Sequence, residues 1–371
     1  MATSSPRSGN NPALDGFRSL GILAVMALHL DLPNGQAGFL GVDLFFVLSG
    51  YLITSHLLSE WQANGAIQLR RFYVRRVLRL LPALALMLMI CGSLAPRSDQ
   101  VAAALGVANW AMALGILPGM NQRLLVHTWS LASEWQYYLI WPLLFIVLLR
   151  SRLSRSSLAL LIAAVALASG VWRTVLWNMT GDLPRVQYAL DTRSDGLLAG
   201  TAVALLFSNP AIVDRLRSWR HVRPATWLAF LATLGLLASG APLPFFLWGG
   251  ETALVAGAAL LLCGLLLDPP RGVVRILASP LLAWIGKISY GLYLWHLPIH
   301  GYLQSVRGLQ GIALILATLA LTFAAASASY YLIEQPLLRL KVQFGALAQR
   351  AGPSSPISSS SAAAPGASLR G

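Results

Sequence analysis

Arg18 and His29 stand eleven residues apart in the apolar run LDGFRSLGILAVMALHL. At about 100° per residue that spacing is three helical turns plus about 20°, so both side chains leave one helix face, about 16.5 Å apart along the axis. Ionisable groups inside so apolar a segment are costly and mark a functional site by default. A snorkelling arginine and a hydrogen-bonded core histidine is the plainer reading of the same pair. Asp15, three residues before Arg18, is placed for an ion pair at the helix entrance. In the next run, GFLGVDLFFVLSGYLIT, Asp43 falls at about the depth of His29. A carboxylate there would orient an imidazole and raise its basicity, giving a general base for a hydroxyl nucleophile; a charge answering the N-terminal helix dipole explains Asp43 equally well. Ser49, Gly50 and Tyr51 lie deeper, where small residues suit close helix packing.

The segment LRRFYVRRVLRLLP brings Arg75, Arg76 and Arg79 within about one helical turn, after Arg70 and Arg71. Forked guanidiniums bind phosphate oxygens well, which points to a phosphate-bearing partner; anchoring of a helix end on the cytoplasmic side accounts for the same arginines taken alone. Further on, HTWSLASEWQYYLIWP sets Glu134 a turn or two into an apolar run, where a carboxylate needs a partner, and by depth it can meet His29 or Asp43. Its aromatics, Trp129 among them, also fit an interfacial belt. DTRSDGLLAG opens another run with Asp191, Arg193 and Asp195. With Trp129 and His296 these could hold a polar acceptor, or the three charges could satisfy one another. In WIGKISYGLYLWHLPIH, Lys287 lies at the end that carries the arginines and His296 and His300 at the other, and SYYLIEQP puts Glu334 at the arginine end. Neither this histidine pair nor the carboxylate spacing resembles a metal site, so no metal is assigned.

These residues need elements to carry them, and composition says what those are. The 371 residues are 56% hydrophobic and 11% charged, against roughly 25% charged in a soluble domain, and the apolar mass comes in long runs joined by arginine-bearing segments. That excludes a water-soluble globular chain, disorder, collagen and disulfide scaffolds. It predicts a polytopic all-α membrane bundle. The net charge of +14 sets topology rather than binding nucleic acid, because the arginines sit between apolar runs. Cys91 and Cys263 lie inside apolar runs and read as small core residues. The first residues lack a signal-peptide pattern, so the amino terminus belongs to the mature chain.

Eleven runs qualify as spans, but counting all of them would place two arginine-rich joints on the wrong side. Removing 100–118, which carries Asn109 and a Gly/Pro break, repairs this. The expectation is therefore ten spans, about 20 residues each, with 100–118 re-entrant or interfacial on the outer side and both termini cytoplasmic. Residues 1–12 are a cytoplasmic segment, 13–340 one membrane domain, and 341–371, rich in Ser, Ala, Pro and Gly, a disordered cytoplasmic tail.

Taken in order, the first helix with its Asp, Arg and His, then GVDLFFVLSGYLI, YVRRVLRLLP, HTWSLASEWQYYLIWP, ISYGLYLWHLPI and YLIEQP resemble the acyltransferase-3 family of integral membrane O-acyltransferases, from about residue 13 to 340. The family's Arg-x10-His motif maps to Arg18 and His29, and its basic motif to Arg76 and Arg79. Where the family has paired glutamates, this chain has Glu134 followed by Trp135, and no role of the second carboxylate carries over. The resemblance implies transfer of an acyl group, often acetyl, from acyl-CoA to a hydroxyl of a carbohydrate-containing acceptor, in a bacterial-type plasma (inner) membrane. Cytosolic acyl-CoA would rest its phosphates on Arg75, Arg76 and Arg79, helped by Lys287, with its pantetheine arm along the face of Arg18 and His29. His29 would deprotonate the acceptor, with Glu134 or Asp43 stabilising the imidazolium; an acyl-histidine relay is the competing mechanism. Acceptors in range are a cell-surface polysaccharide, a lipid-linked oligosaccharide and a glycosylated small molecule such as a macrolide. Many relatives carry an appended extracytoplasmic hydrolase-like domain, and this chain is expected to finish its chemistry alone or with a separate partner. Two other classes share the intramembrane charges: a secondary transporter, for which no inverted repeat is seen, and a non-catalytic assembly or export factor, which would tolerate loss of His29.

Overall fold

The computed structural model describes residues 11–91, 94–117 and 124–337. They form α1 (Pro12–His29), α2 (Gly41–Asn64), α3 (Leu69–Cys91), α4 (Arg97–Ala104), α5 (Ala108–Ala113), α6 (Thr128–Arg150), α7 (Arg155–Thr180), α8 (Leu183–Tyr188) and α9 (Leu190–Arg193). There follow α10 (Asp195–Phe207), α11 (Pro210–Arg217), α12 (Val222–Leu237), α13 (Leu243–Phe245), α14 (Glu251–Leu267), α15 (Arg271–Leu277), α16 (Pro280–Lys287), α17 (Ser289–Ser305) and α18 (Gly311–Ser329). No strand occurs among the described residues.

Local sequence accounts for the boundaries that matter. The side chain of Asn11 accepts from the Ala13 amide and Pro12 occupies the first turn, which fixes the start of α1 three residues before Asp15. The helix stops after His29 as Asp31 (φ 49°) and Asn34 (φ 59°) take left-handed backbone and turn the chain back through Gly35–Leu40 into α2. His29 and Asp43 therefore sit on neighbouring helices near one end of the bundle. Gly65 (φ 66°) ends α2 just before the arginines of α3.

Inside a bilayer apolar burial does not hold helices together, so close backbone approach and polar ties must. α2 and α10 meet through Gly50 and Gly200: a Cβ on Gly50 would run into the Leu197 carbonyl, and one on Gly200 into the Val47 carbonyl. Gly50 thus has the packing role its size suggests. Above this contact the Tyr137 hydroxyl lies 2.6 Å from the Thr201 hydroxyl, Thr54 lies 3.2 Å from Thr201, and the Trp141 indole donates to Thr54 at 3.0 Å. These bonds tie α6 to both α2 and α10.

Among the described residues, each of the ten apolar runs expected to span is largely helical. Among the described residues, five helices are long and apolar enough by themselves to cross a bilayer: Gly35–Asn64, Thr128–Arg150, Arg155–Thr180, Leu243–Leu267 and Gly311–Leu337. Asp195–Phe207 with Pro210–Arg217 makes a sixth if that pair, bent by 95°, is one span. The chain is a multi-pass membrane protein. The remaining runs fall short for physical reasons: α1 carries Asp15, Arg18 and His29, α3 begins with arginines, α12 has 16 residues and α17 has 17.

The described part of 100–118 is two short helices, α4 and α5, turned at Gly106 (φ 67°), and neither approaches the length of a span. Gln136 of α6 clamps this hairpin. Its amide nitrogen donates to the Gly106 carbonyl (2.9 Å) and to Asn109 Oδ1 (2.8 Å), while its oxygen accepts from Trp110 Nε1 (3.1 Å). Asn109 thereby has partners despite complete burial. The Pro118–Gly119 break, residues 1–10 and the tail 341–371 lie outside the described residues.

Candidate active site

Two cavities enter the bundle from opposite ends of α1. The first encloses about 760 Å³ of space, part of it open to solvent, and is lined by Arg18, Arg76, Arg79, Ser49, Glu134 and Tyr138 together with apolar residues of α2 and α17. Arg18 is braced by Asp15 at 2.9 Å, the ion pair their three-residue spacing predicts. Arg76 lies 5.5 Å from the ring centroids of both Phe72 and Tyr138, and its Nε is buried with no hydrogen-bond partner. The single carboxylate on this wall, Glu134, accepts from Ser49 Oγ at 2.5 Å, Ser49 accepts from the Tyr138 hydroxyl at 3.3 Å, and Glu134 is within electrostatic reach of Arg76 and Arg79. With Arg18 paired to Asp15, Arg76 and Arg79 face the one carboxylate that lines the chamber, Glu134, which makes it anion-accepting, and the buried Arg76 Nε is an unused donor.

The second cavity, about 1620 Å³ with its open part, is lined by His29, His127 and His300, by Trp129, Tyr188 and Arg193, and by apolar residues such as Phe39 and Leu297. Behind His29 stands His296, 2% exposed, whose Nε2 is 3.1 Å from His29 Nδ1 and whose Nδ1 is 2.8 Å from the Tyr293 carbonyl. The His127 ring centroid is 5.5 Å from that of His296, so three imidazoles from α1, α17 and the approach to α6 converge. Arg193 lies 5.2 Å from the Trp129 ring centroid and Trp129 5.6 Å from Tyr188, an aromatic and cationic wall. Val42 and Tyr293 line both cavities. The Tyr293 hydroxyl is 2.6 Å from Ser130 Oγ and donates to the His127 carbonyl at 2.9 Å, which fixes the ring in the partition.

Several placements differ from the sequence expectation. Asp43 does not meet His29: it accepts from the Arg193 guanidinium at 3.1 Å, because a fully buried arginine one helix away has a stronger claim on a fully buried carboxylate than a neutral imidazole has. The same buried group contains Arg173 with Asp195 (2.9 Å), Arg173 with Glu251 (3.4 Å), and the contact of Arg193 with Glu251. Nor does Glu134 reach His29, since it faces the arginine chamber. Of the expected acceptor residues, Arg193 and Trp129 line the second cavity, Asp195 is locked to Arg173, Asp191 is held by Arg185 (2.7 Å) and Trp172 (3.0 Å), and His296 stands behind His29. Arg75 is paired with Glu60 at 3.6 Å and Lys287 is exposed at the end of α16; neither lines the arginine chamber. Trp135, in place of a second carboxylate, turns towards Gly106 of the hairpin.

Asp191 lies between the candidate spans. Partial burial pushes its carboxyl up, but the hydrogen bonds from Arg185 and Trp172 outweigh this and hold it below the usual carboxylate value. Read from the sequence, Ser49 had only a packing role, and His127, Tyr138, Tyr188 and Tyr293 had no chemical one. Tyr293 and Tyr138 carried a signal, as aromatics beside ionisable residues inside apolar runs, but interfacial belts produce the same pattern.

The described helices thus carry an anion-accepting chamber towards one end of α1 and a histidine cluster towards the other. The chain belongs to the acyltransferase-3 family: the profile of its acyltransferase domain matches residues 11–334. It is 33% identical over 344 residues to the peptidoglycan O-acetyltransferase OatA of Listeria monocytogenes, covering 88% of this chain and 55% of the relative. It is 34% identical over 345 residues to the "Putative peptidoglycan O-acetyltransferase YrhL" of Bacillus subtilis, covering 88% of this chain and 54% of that one. The chain thus spans about half the length of the curated relatives it matches. No solved structure matches it.

Proposed function

We propose that this protein transfers an acyl group, acetyl in the first instance, from acyl-CoA bound at the arginine end to a sugar hydroxyl of a peptidoglycan-type glycan at the histidine end. The observation that carries the reading is the partition: two cavities of different chemistry, entering from opposite ends, share Val42 and Tyr293 as a common wall. The relatives' names support a glycan acceptor. In this reading the ten apolar helices cross a bacterial inner membrane, and Arg18, Arg76 and Arg79 face the cytoplasm.

Arg76 and Arg79 offer forked donors to the phosphates of the acyl-CoA, while Glu134, held by Ser49, keeps the arginine pair from repelling itself apart. Arg18 marks the path of the neutral arm towards the partition. The acceptor lies against Trp129, Tyr188 and Arg193 with its hydroxyl at His29. His29 takes the hydroxyl proton as the oxygen attacks the thioester carbonyl. The C–O bond forms, the C–S bond breaks, and the departing thiolate recovers the proton from the imidazolium.

Purified protein in detergent tests this with acetyl-CoA binding and transfer to muropeptide acceptors. Arg76→Ala is expected to lose binding. His29→Ala is expected to bind normally and lose transfer. Wild-type transfer by a folded His29→Ala protein would overturn the reading, and absence of any acyl-CoA binding by the wild type would move it to transport or assembly.

A further inference from the structure

The histidine pair at the second cavity is ordered by the groups behind it. His296 Nδ1 faces two carbonyls, Tyr293 at 2.8 Å and Leu292 at 3.2 Å, and a carbonyl only accepts, so this nitrogen carries the proton. In the neutral ring the other nitrogen, Nε2, is then a lone pair. It sits 3.1 Å from His29 Nδ1. That contact is a hydrogen bond only if His29 Nδ1 carries a proton and donates it. The chain of donors thus ends with His29 Nε2 as the unprotonated nitrogen of a ring that lines the cavity.

We propose that His296 is a positioning residue: through its Nε2 it holds His29 in the Nδ1–H tautomer and keeps His29 Nε2 as the proton acceptor for the incoming hydroxyl. This rests on the reading of His29 as the base, and supplies the orienting partner that Asp43 and Glu134 do not provide. The logic is that of a buried acceptor behind a catalytic imidazole, with a second imidazole, itself fixed by a backbone carbonyl, in place of a carboxylate. A neutral partner suits the location, because a carboxylate here would need its own buried counter-charge. The other titratable side chains facing the pair are His127 at the approach to α6, Tyr293 and His300 on α17, and Asp31 in the turn after α1. α18, packed along α17, offers none.

The test uses His296→Gln and His296→Leu in the full chain. A glutamine places an amide oxygen where Nε2 was and can still accept from His29; leucine cannot. His296→Leu is expected to lower kcat on the order of 10²-fold with KM for acetyl-CoA unchanged, and His296→Gln to recover to within about tenfold of wild type. Equal loss in both variants, or wild-type kcat in folded His296→Leu, would overturn the assignment. Should the leucine variant fail to fold, ¹⁵N-histidine spectra of the wild type decide it: His29 as the Nδ1–H tautomer is the expected result, and the Nε2–H tautomer contradicts it. His29→Ala run alongside separates the two levels. If it retains transfer, the base reading itself has failed; if it is inactive while the His296 variants are indifferent, only the positioning role has.

Discussion

Arg76 is left with hydrogen-bonding capacity that its surroundings do not use. Its guanidinium is wedged between two aromatic rings, and a buried Nε is left for an incoming anion. Arg76→Lys keeps the charge and loses the fork, so KM for acetyl-CoA is expected to rise about tenfold or more, the worth of one charge-assisted hydrogen bond, with kcat little changed. Asp43 makes the opposite case. Because it neutralises buried Arg193, Asp43→Asn is expected to destabilise the protein by about 3–5 kcal/mol, measured by unfolding in detergent, and to affect transfer only through that loss and the placement of Arg193. A fully stable Asp43→Asn protein without transfer activity would show that Asp43 acts on the reaction after all. At this scale the sequence was legible where geometry is local. The shared face of Arg18 and His29 and the Asp15–Arg18 pair follow from helical periodicity. The partner of His29 lies 267 residues away and that of Asp43 150 residues away, and depth along a run could only say which groups were at similar height.

Among elements, the Gln136 amide is the polar tie between the α4–α5 hairpin and α6. Removing it in Gln136→Leu leaves the Gly106 carbonyl and Asn109 without their partners, and hydrogen exchange across 97–113 is expected to rise about tenfold or more, while acetyl-CoA binding stays unchanged because no hairpin residue lines the arginine chamber. The α2–α10 contact is less forgiving. A leucine at Gly200 would collide with the Val47 backbone, and loss of folded protein in membranes is the expected outcome. The apolar runs foretold where helices lie, and Asn109 falls in the short α4–α5 hairpin rather than in a long helix. What they did not give was the lengths: α10 is 13 residues and bends sharply into α11, and α16 and α17 are separate helices meeting at Ile288. Apolarity reports solvent, not continuity, so a broken helix and a straight one read alike.

For the whole molecule, the proposal requires that the ends carrying Arg18 and His29 face different compartments. Single cysteines introduced at Lys287 and Gln304, both exposed and at opposite ends, are expected to react with an impermeant thiol reagent from opposite faces of oriented vesicles, in a background free of Cys91 and Cys263. Reaction from the same face would dismantle the two-sided arrangement. The central claim is tested most directly by separating the substrates. In proteoliposomes of one orientation, acetyl-CoA is supplied only on the side of Lys287 and a muropeptide acceptor only on the side of Gln304. Acetylated acceptor on the Gln304 side, abolished by His29→Ala, is the predicted result. Product that forms only when both substrates share one compartment would contradict it.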